Sequence, residues 1–436
     1  MTRSTTHLAP GKELISWAMY DFANSGYTTV VLTAIFSAYF VGVIAATTDG
    51  TSNGTGTLLW SITIGVANIL ILITAPVLGA IADYSASKKK MLAYTTAGCI
   101  GMTALLGFTG PNQLLLSMFF LAGSAFLFGT GENLIAAFLP EIAPPDKVGK
   151  VSGFSWALGY IGGLFVLTLS LAYIEVVKPL GQTAEQYVPV TLWITALVFA
   201  IASAPTFLFL KERQQASLDS PSSIFSYTRI GFSRLRQTLQ RRRQFRDLFR
   251  FLLALCIFSS GVYTVIVIAA IYAQQVMHFS TTENIIMIMV VNITAAVGAF
   301  VFGLFQDQLG AKRTLELTLF IWILAIAVAW QGDTKTQFWI AANLIGLAMG
   351  SSQSAGRALV ALFAPEGRSA EFFGLWGLSI KLAAVIGPMS YGLITWYSNG
   401  DQRQAIFSTL MFFVVGLIVL FTVNEKRGRE AAVVGE

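Results

Sequence analysis

The chain has 436 residues, of which 55% are hydrophobic, 13% aromatic and only 11% charged, against roughly 25% charged in an ordinary soluble protein. A soluble core cannot absorb that much apolar side chain, whereas the lipid-facing perimeter of a membrane bundle can, so the soluble globular classes are excluded. The formal net charge of +6 comes from 28 Lys and Arg spread over many short loops, which membrane topology explains without a nucleic-acid partner.

Residues 1–13 are short, polar and followed by a long apolar run without a small-residue cleavage site, so they read as a tail and not as a signal peptide. Apolar segments then fall at about 15–45, 57–82, 91–109, 113–139, 151–174, 190–210, 249–275, 284–306, 313–330, 337–363, 371–397 and 403–423. These twelve are each about 18 residues or longer, enough at about 1.5 Å per residue to cross a hydrocarbon layer of roughly 30 Å. An even count puts both termini on one side. With the N-terminus inside, inner segments hold 23 of the basic residues, outer loops hold Lys178, Lys335 and Arg403, and Arg357 and Lys381 lie within helices. That asymmetry predicts a multi-pass protein of a cytoplasmic membrane with both termini in the cytoplasm.

In helix 1, Asp21 shares a face with Asn24 and Thr28 at spacings of three and four, which gives the helix a polar stripe toward the bundle interior. After helix 2, Gly79 and Asp83 precede the lysines at 88, 89 and 90, and Gly303 and Asp307 precede Lys312 and Arg313 after helix 8. The glycine lets two helix ends approach closely, and the aspartate can cap a helix or pair with a basic residue across the interface, so both stretches are candidate cytoplasmic latches. Helix 4 carries Glu132. Between helices 6 and 7 lies the longest polar interruption, which divides the chain into halves 1–210 and 249–436 around a basic linker 211–248. Within it Arg234, Arg236, Arg241, Arg242, Arg243 and Arg246 alternate with Phe232, Leu235, Leu239, Phe245 and Leu248, the pattern of an amphipathic segment lying on anionic lipid at 229–250. Phe22, Tyr27 and Thr28 in helix 1 are echoed by Phe258, Tyr263 and Thr264 in helix 7, as expected of two six-helix repeats about a central pseudo-axis.

Helix 10 presents Gln353 and Arg357 one turn apart, and helix 11 carries Lys381 ten residues in. Ionisable groups inside a membrane are costly and require a partner or a wet cavity. Counting residues from the inner helix ends puts Asp21, Glu132 and Arg357 at one level, about 9–11 Å deep, and Lys381 at about 15 Å, near the midplane. Glu132 and Arg357 are 225 residues apart, close to the repeat offset, and read as a pair across the pseudo-axis, either an inner gate or a static brace. Lys381 can hold a substrate carboxylate, titrate during transport, or pair with Asp21.

The run Tyr20-Asp21-Phe22-Ala23-Asn24-Ser25-Gly26-Tyr27 resembles the opening signature of the vacuolar amino-acid effluxer-like branch of the major facilitator superfamily. Leu139-Pro140-Glu141-Ile142-Ala143, Gln353 with Arg357, Pro365-Glu366-Gly367-Arg368 running into Glu371-Phe372-Phe373-Gly374, and Gly387-Pro388 agree with it. The resemblance implies a twelve-helix fold and, in fungal members, export of amino acids from the vacuole lumen. A lumen is topologically the cell exterior, so the corresponding direction at a cell membrane is uptake. The chain departs from the family pattern at Phe22, Glu132 and Ile380, and the carboxylate at Glu132 adds a charge that the pattern lacks.

The expected protein is therefore an all-α membrane protein of twelve helices in two pseudo-symmetric halves. It is read as a monomeric secondary transporter that moves a small polar or zwitterionic solute, amino acids among them, by alternating access. Asp21 and Glu132 are the candidate proton carriers. No catalytic residue, metal site or cofactor is expected: Cys99 and Cys256 are isolated, and the histidines, His7 and His278, fall in a tail and an outer loop. No Gly-x-x-x-x-Gly-Lys-Ser/Thr loop supports an ATP-driven pump. A receptor or lipid scaffold on the same fold, or a membrane-embedded enzyme, are the alternatives.

Overall fold

The computed structural model describes residues 7–45, 53–213, 229, 232–233, 236–238, 240–398 and 401–434, and the regular elements among them are helical. Ten helical segments are long and apolar enough to cross a membrane. In chain order they are α1 (Gly11–Ile44), α2 (Asn53–Tyr84), α4 (Leu114–Ala136), α5 (Val148–Val177), α6 (Ala184–Phe209), α7 (Arg246–Gln275), α8 (Thr281–Leu309), α9 (Ala311–Gln331), α11 (Ser369–Tyr397) and α12 (Gln402–Phe421). Two further long helices, α3 (Lys88–Leu106) and α10 (Lys335–Phe363), complete the expected twelve. They are less apolar for definite reasons: α3 opens on three lysines, and α10 carries Ser351, Ser352, Gln353, Ser354 and Arg357 toward the bundle interior. A short helix, α13 (Glu425–Val434), follows α12.

Helix starts are set by local capping. Ser280 and Glu283 form a capping box at α8, Thr334 and Gln337 one at α10, and Asp401 accepts the backbone N–H groups of Arg403 and Gln404 at α12. Two starts are capped from a distance in the same way in each half. Glu212, just after α6, accepts the Lys88 and Lys89 N–H groups at 2.7 and 3.2 Å, and Glu425, just after α12, accepts that of Lys312 at 2.9 Å. Each half also ties its last segment back to its first helix: Arg213 binds Glu13 through two hydrogen bonds of 2.7 and 2.8 Å, and Arg427 binds Asp247 at 2.7 Å. The repeat seen weakly in sequence is thus a repeat of contacts, and it makes each half a closed unit.

Within the first half α1 packs on α5 and α6, α4 on α2 and α3; within the second α7 packs on α11 and α12, and α10 on α8 and α9. The halves meet through α2 with α11 and α5 with α8. Large apolar side chains such as Ile73, Leu115, Ile201, Leu208 and Leu393 stay exposed on the perimeter, where lipid is the solvent. At one end of the bundle, called here the basic end, Glu13, Arg213, Glu141, Lys88, Asp83 and Glu371 form one chain of contacts, and Lys312 with Glu425 and Arg427 with Asp247 make separate ones. Of the linker's lipid-facing pattern, Arg234, Leu235 and Leu239 lie outside the described residues. Thr238 is buried and hydrogen-bonded to Glu371 and Arg368 at the start of α11.

Candidate functional site

Three layers of contact between the halves run from the basic end toward the middle of the bundle. The outermost contains Gly79, Asp83, Gly303 and Asp307, expected from the sequence to act as latches. A Cβ at Gly79 would stand 2.1 Å from the Ala370 carbonyl oxygen, so only glycine lets α2 lie against the start of α11. One turn on, the Asp83 carboxylate accepts the Glu371 N–H at 2.8 Å and faces the Lys88 ammonium at 3.4 Å. Lys88 is itself buried between Glu141 and Ser369. The second copy does the same on the other side of the pseudo-axis. Gly303 lies against Gly153 of α5, and Asp307 accepts the Gly149 and Lys150 N–H groups at 2.8 and 3.0 Å. Each aspartate therefore puts a negative charge on the N-terminus of a helix in the opposite half, where the backbone dipole favours it.

Such a charge contributes about 1 kcal/mol. Asp83→Asn and Asp307→Asn are each expected to raise basic-side labelling of a Ser259→Cys reporter several-fold, in a background where Cys99 and Cys256 are serine. Labelling unchanged in both would remove the latch role.

The second layer is a plug and socket. Arg357, 3% exposed, projects from α10 into a site built wholly by the other half. Its Nη1 donates to Asp21 of α1 at 2.6 Å, Nη2 to the Ser152 carbonyl oxygen of α5 at 3.0 Å, and Nε to the Ser152 hydroxyl at 3.1 Å. The guanidinium carbon lies 4.9 Å from the ring centre of Trp17 and 5.2 Å from that of Trp156, both within cation–π range. Ser155 donates to the same Asp21 oxygen at 2.6 Å. The socket exists because Gly159, Gly162 and Gly163 let α5 lie against the α1 backbone at Asp21, Phe22 and Ser25.

The third layer is a cavity lined by Glu132, Trp156, Ser259, Tyr263, Gln353 and Trp376, among others. Glu132 faces Lys381 at 3.8 Å, and their side chains keep 25% and 15% of their exposure. The Gln353 side-chain oxygen accepts from Tyr160 of α5. The Trp156 indole N–H is buried without a hydrogen-bond partner.

The sequence-derived residues are thus brought together, but in different pairs. Arg357 binds Asp21 and not Glu132, while Glu132 faces Lys381, so neither the Glu132–Arg357 pair nor the Asp21–Lys381 alternative is formed. Counting depth along the helices does not choose a partner; the direction each helix face points does. Asn24 is buried with its side-chain oxygen unpartnered, and Thr28 spends its hydroxyl on the Ser25 carbonyl oxygen, so neither lines the cavity. The stripe Ser152, Trp156 and Tyr160 on α5 escaped sequence reasoning although its spacing of four marks one helical face.

Residues 9–433 match the protein family described as vacuole effluxer Atg22 like. An uncharacterized MFS-type transporter YxiO of Bacillus subtilis is 29% identical over 425 residues, covering 97% of each chain. Autophagy-related protein 22 of Yarrowia lipolytica is 25% identical over 342 residues, covering 72% of this chain and 56% of the fungal protein. Among solved structures, the human organic anion transporter MFSD10 superposes with a TM-score of 0.70 at 15% identity, over 94% of this chain and 100% of that one. The proton:xylose symporter XylE gives 0.70 at 14% identity, over 96% of both. At such identities the likeness is one of fold, that of the major facilitator superfamily.

Proposed function

We propose that this chain, which belongs to the vacuole effluxer Atg22-like family and is a major facilitator-type membrane transporter, carries a small zwitterionic solute, an amino acid in the simplest case. The solute moves by alternating access, and the layers above describe the state in which the basic end is shut. The observation that carries the reading is the contrast between two charge pairs. Asp21 and Arg357 are tightly bonded and screened, as a seal requires, whereas Glu132 and Lys381 stand 3.8 Å apart beside the cavity. A solute with an ammonium and a carboxylate can enter the looser pair, giving Glu132 a cation and Lys381 an anion, and no charge is left without a partner. Phe258, Tyr263 and Trp376 supply an apolar wall for the rest of the solute.

The proton carriers expected from sequence, Asp21 and Glu132, are both neutralised by basic side chains. A driving cation must therefore displace or follow one of those groups. The basic end is assigned to the cytoplasm by the distribution of Lys and Arg, and the Bacillus relative supports a cell-membrane location. Labelling of a cysteine at Arg242 by an impermeant reagent outside intact cells would contradict this orientation.

A thermal-stability screen of the purified protein tests the solute class. L-amino acids are expected to stabilise it, while the matching amino alcohols, lacking the carboxylate, and N-acetyl amino acids, lacking the ammonium, are not. Losing one charged hydrogen bond costs about 1.5–3 kcal/mol, so Lys381→Ala and Glu132→Gln should each weaken binding roughly ten- to hundredfold. Undiminished affinity in both variants would take the pair out of the solute site.

A further inference from the structure

The socket for Arg357 belongs entirely to one half, on α1 and α5, while the plug belongs to the other, on α10. Alternating access, on which this inference rests, moves the halves apart at the basic end and must withdraw the guanidinium. The socket itself stays intact, because Ser155 holds Asp21 at 2.6 Å and the α5 glycines keep α1 in place. What remains is the Asp21 carboxylate, within the span of the helices and without its counter-charge. An isolated charge there costs several kcal/mol, so the open state requires a positive charge from solution.

We propose that the vacated socket binds Na+ and that the bound ion holds the basic end open. The donor set suits a hard monovalent cation: the Asp21 carboxylate, the Ser152 and Ser155 hydroxyls and the Ser152 carbonyl oxygen, with the Trp17 and Trp156 rings 4.9 and 5.2 Å from where the guanidinium carbon sits. That the socket holds a cation is already visible, since Arg357 occupies it. The Asn24 side-chain oxygen, buried and unpartnered one turn from Asp21, is a further oxygen close by on the same helix. The ion and Arg357 compete for Asp21, so ion binding and closure of the basic end exclude each other.

Removing the plug exposes the site to a direct test that needs no solute. In Arg357→Ala, and in Arg357→Gln should the first variant fold poorly, Na+ is expected to raise the melting temperature by a few degrees in a saturable way. K+ and choline at equal ionic strength should do so far less. Guanidinium ion at millimolar concentration should act as a substitute plug and stabilise the same variants. Asp21→Asn added to either should abolish both effects. In the wild type, Na+ on the basic side is expected to raise basic-side labelling of the Ser259→Cys reporter several-fold, and K+ is not. Na+ stabilisation lost with Asp21→Asn but with no solute moved would uphold the cation site and sink the transport reading. Labelling indifferent to Na+ would overturn the sodium assignment, as would plug-less variants that respond to Na+ and K+ alike.

Discussion

Arg357→Ala is expected to unseal the basic end and abolish coupled transport while leaving the helices inserted. The substitution removes three hydrogen bonds and two ring contacts from one buried side chain and leaves Asp21 with only Ser155 as a partner. Breaking a buried pair in this way costs about 3–5 kcal/mol. All of that cost falls on the shut state, because the plug and socket touch only there. The ratio of shut to open forms should therefore fall by at least about a hundredfold, read as basic-side labelling of a Ser259→Cys reporter. Arg357→Lys should recover little, since an ammonium can neither fork between Asp21 and the Ser152 carbonyl nor stack between two indole planes. Full recovery by lysine would mean that charge alone makes the seal.

The second large effect is a failure of charge exchange. The sequence pairing of Glu132 with Arg357 predicts that Glu132→Arg with Arg357→Glu restores transport. The geometry predicts the reverse, because glutamate at 357 would face Asp21 and arginine at 132 would face Lys381, creating like-charge contacts at both places. The double variant should be worse than either parent. By contrast, Glu132→Lys with Lys381→Glu keeps one charge of each sign beside the cavity, in a pair that is neither tightly bonded nor fully buried. It should retain binding of a zwitterion to within about tenfold of wild type, measured as solute-induced thermal stabilisation. Rescue by the Glu132–Arg357 exchange would show that these two side chains do meet in another state.

How far the sequence could be read follows from what each signal measures. Helix number and order were legible because run length and hydropathy report directly on crossing a membrane. The two least apolar helices, α3 and α10, were counted even though their lysines and serines weaken that signal. The glycine spacing singled out Asp83 and Asp307 but did not show that each caps a helix of the opposite half, since a cap of this kind depends on which helix ends meet. Depth along the helices placed Asp21, Glu132 and Arg357 at one level and Lys381 deeper, whereas the structure pairs Arg357 with Asp21 and Lys381 with Glu132. Partners depend on rotation about each helix axis, and here that rotation was set by residues with no charge at all. Gly159, Gly162 and Gly163 press α5 onto α1, so Ser152 and Trp156 meet Asp21 and complete the socket. A small-residue stripe on α5 was the available sign of that contact.

The central claim is that the halves rock about a cavity and that Arg357 closes one end of it. Spin labels on exposed positions of the two halves at the basic end, Lys150 and Arg313, would follow this as a distance distribution in nanodiscs. The account predicts two populations in wild type, the shorter one dominant, with the ratio moved by the stabilising amino acid and shifted decisively to the longer distance in Arg357→Ala. A single distance, unchanged by solute and by loss of Arg357, would contradict it.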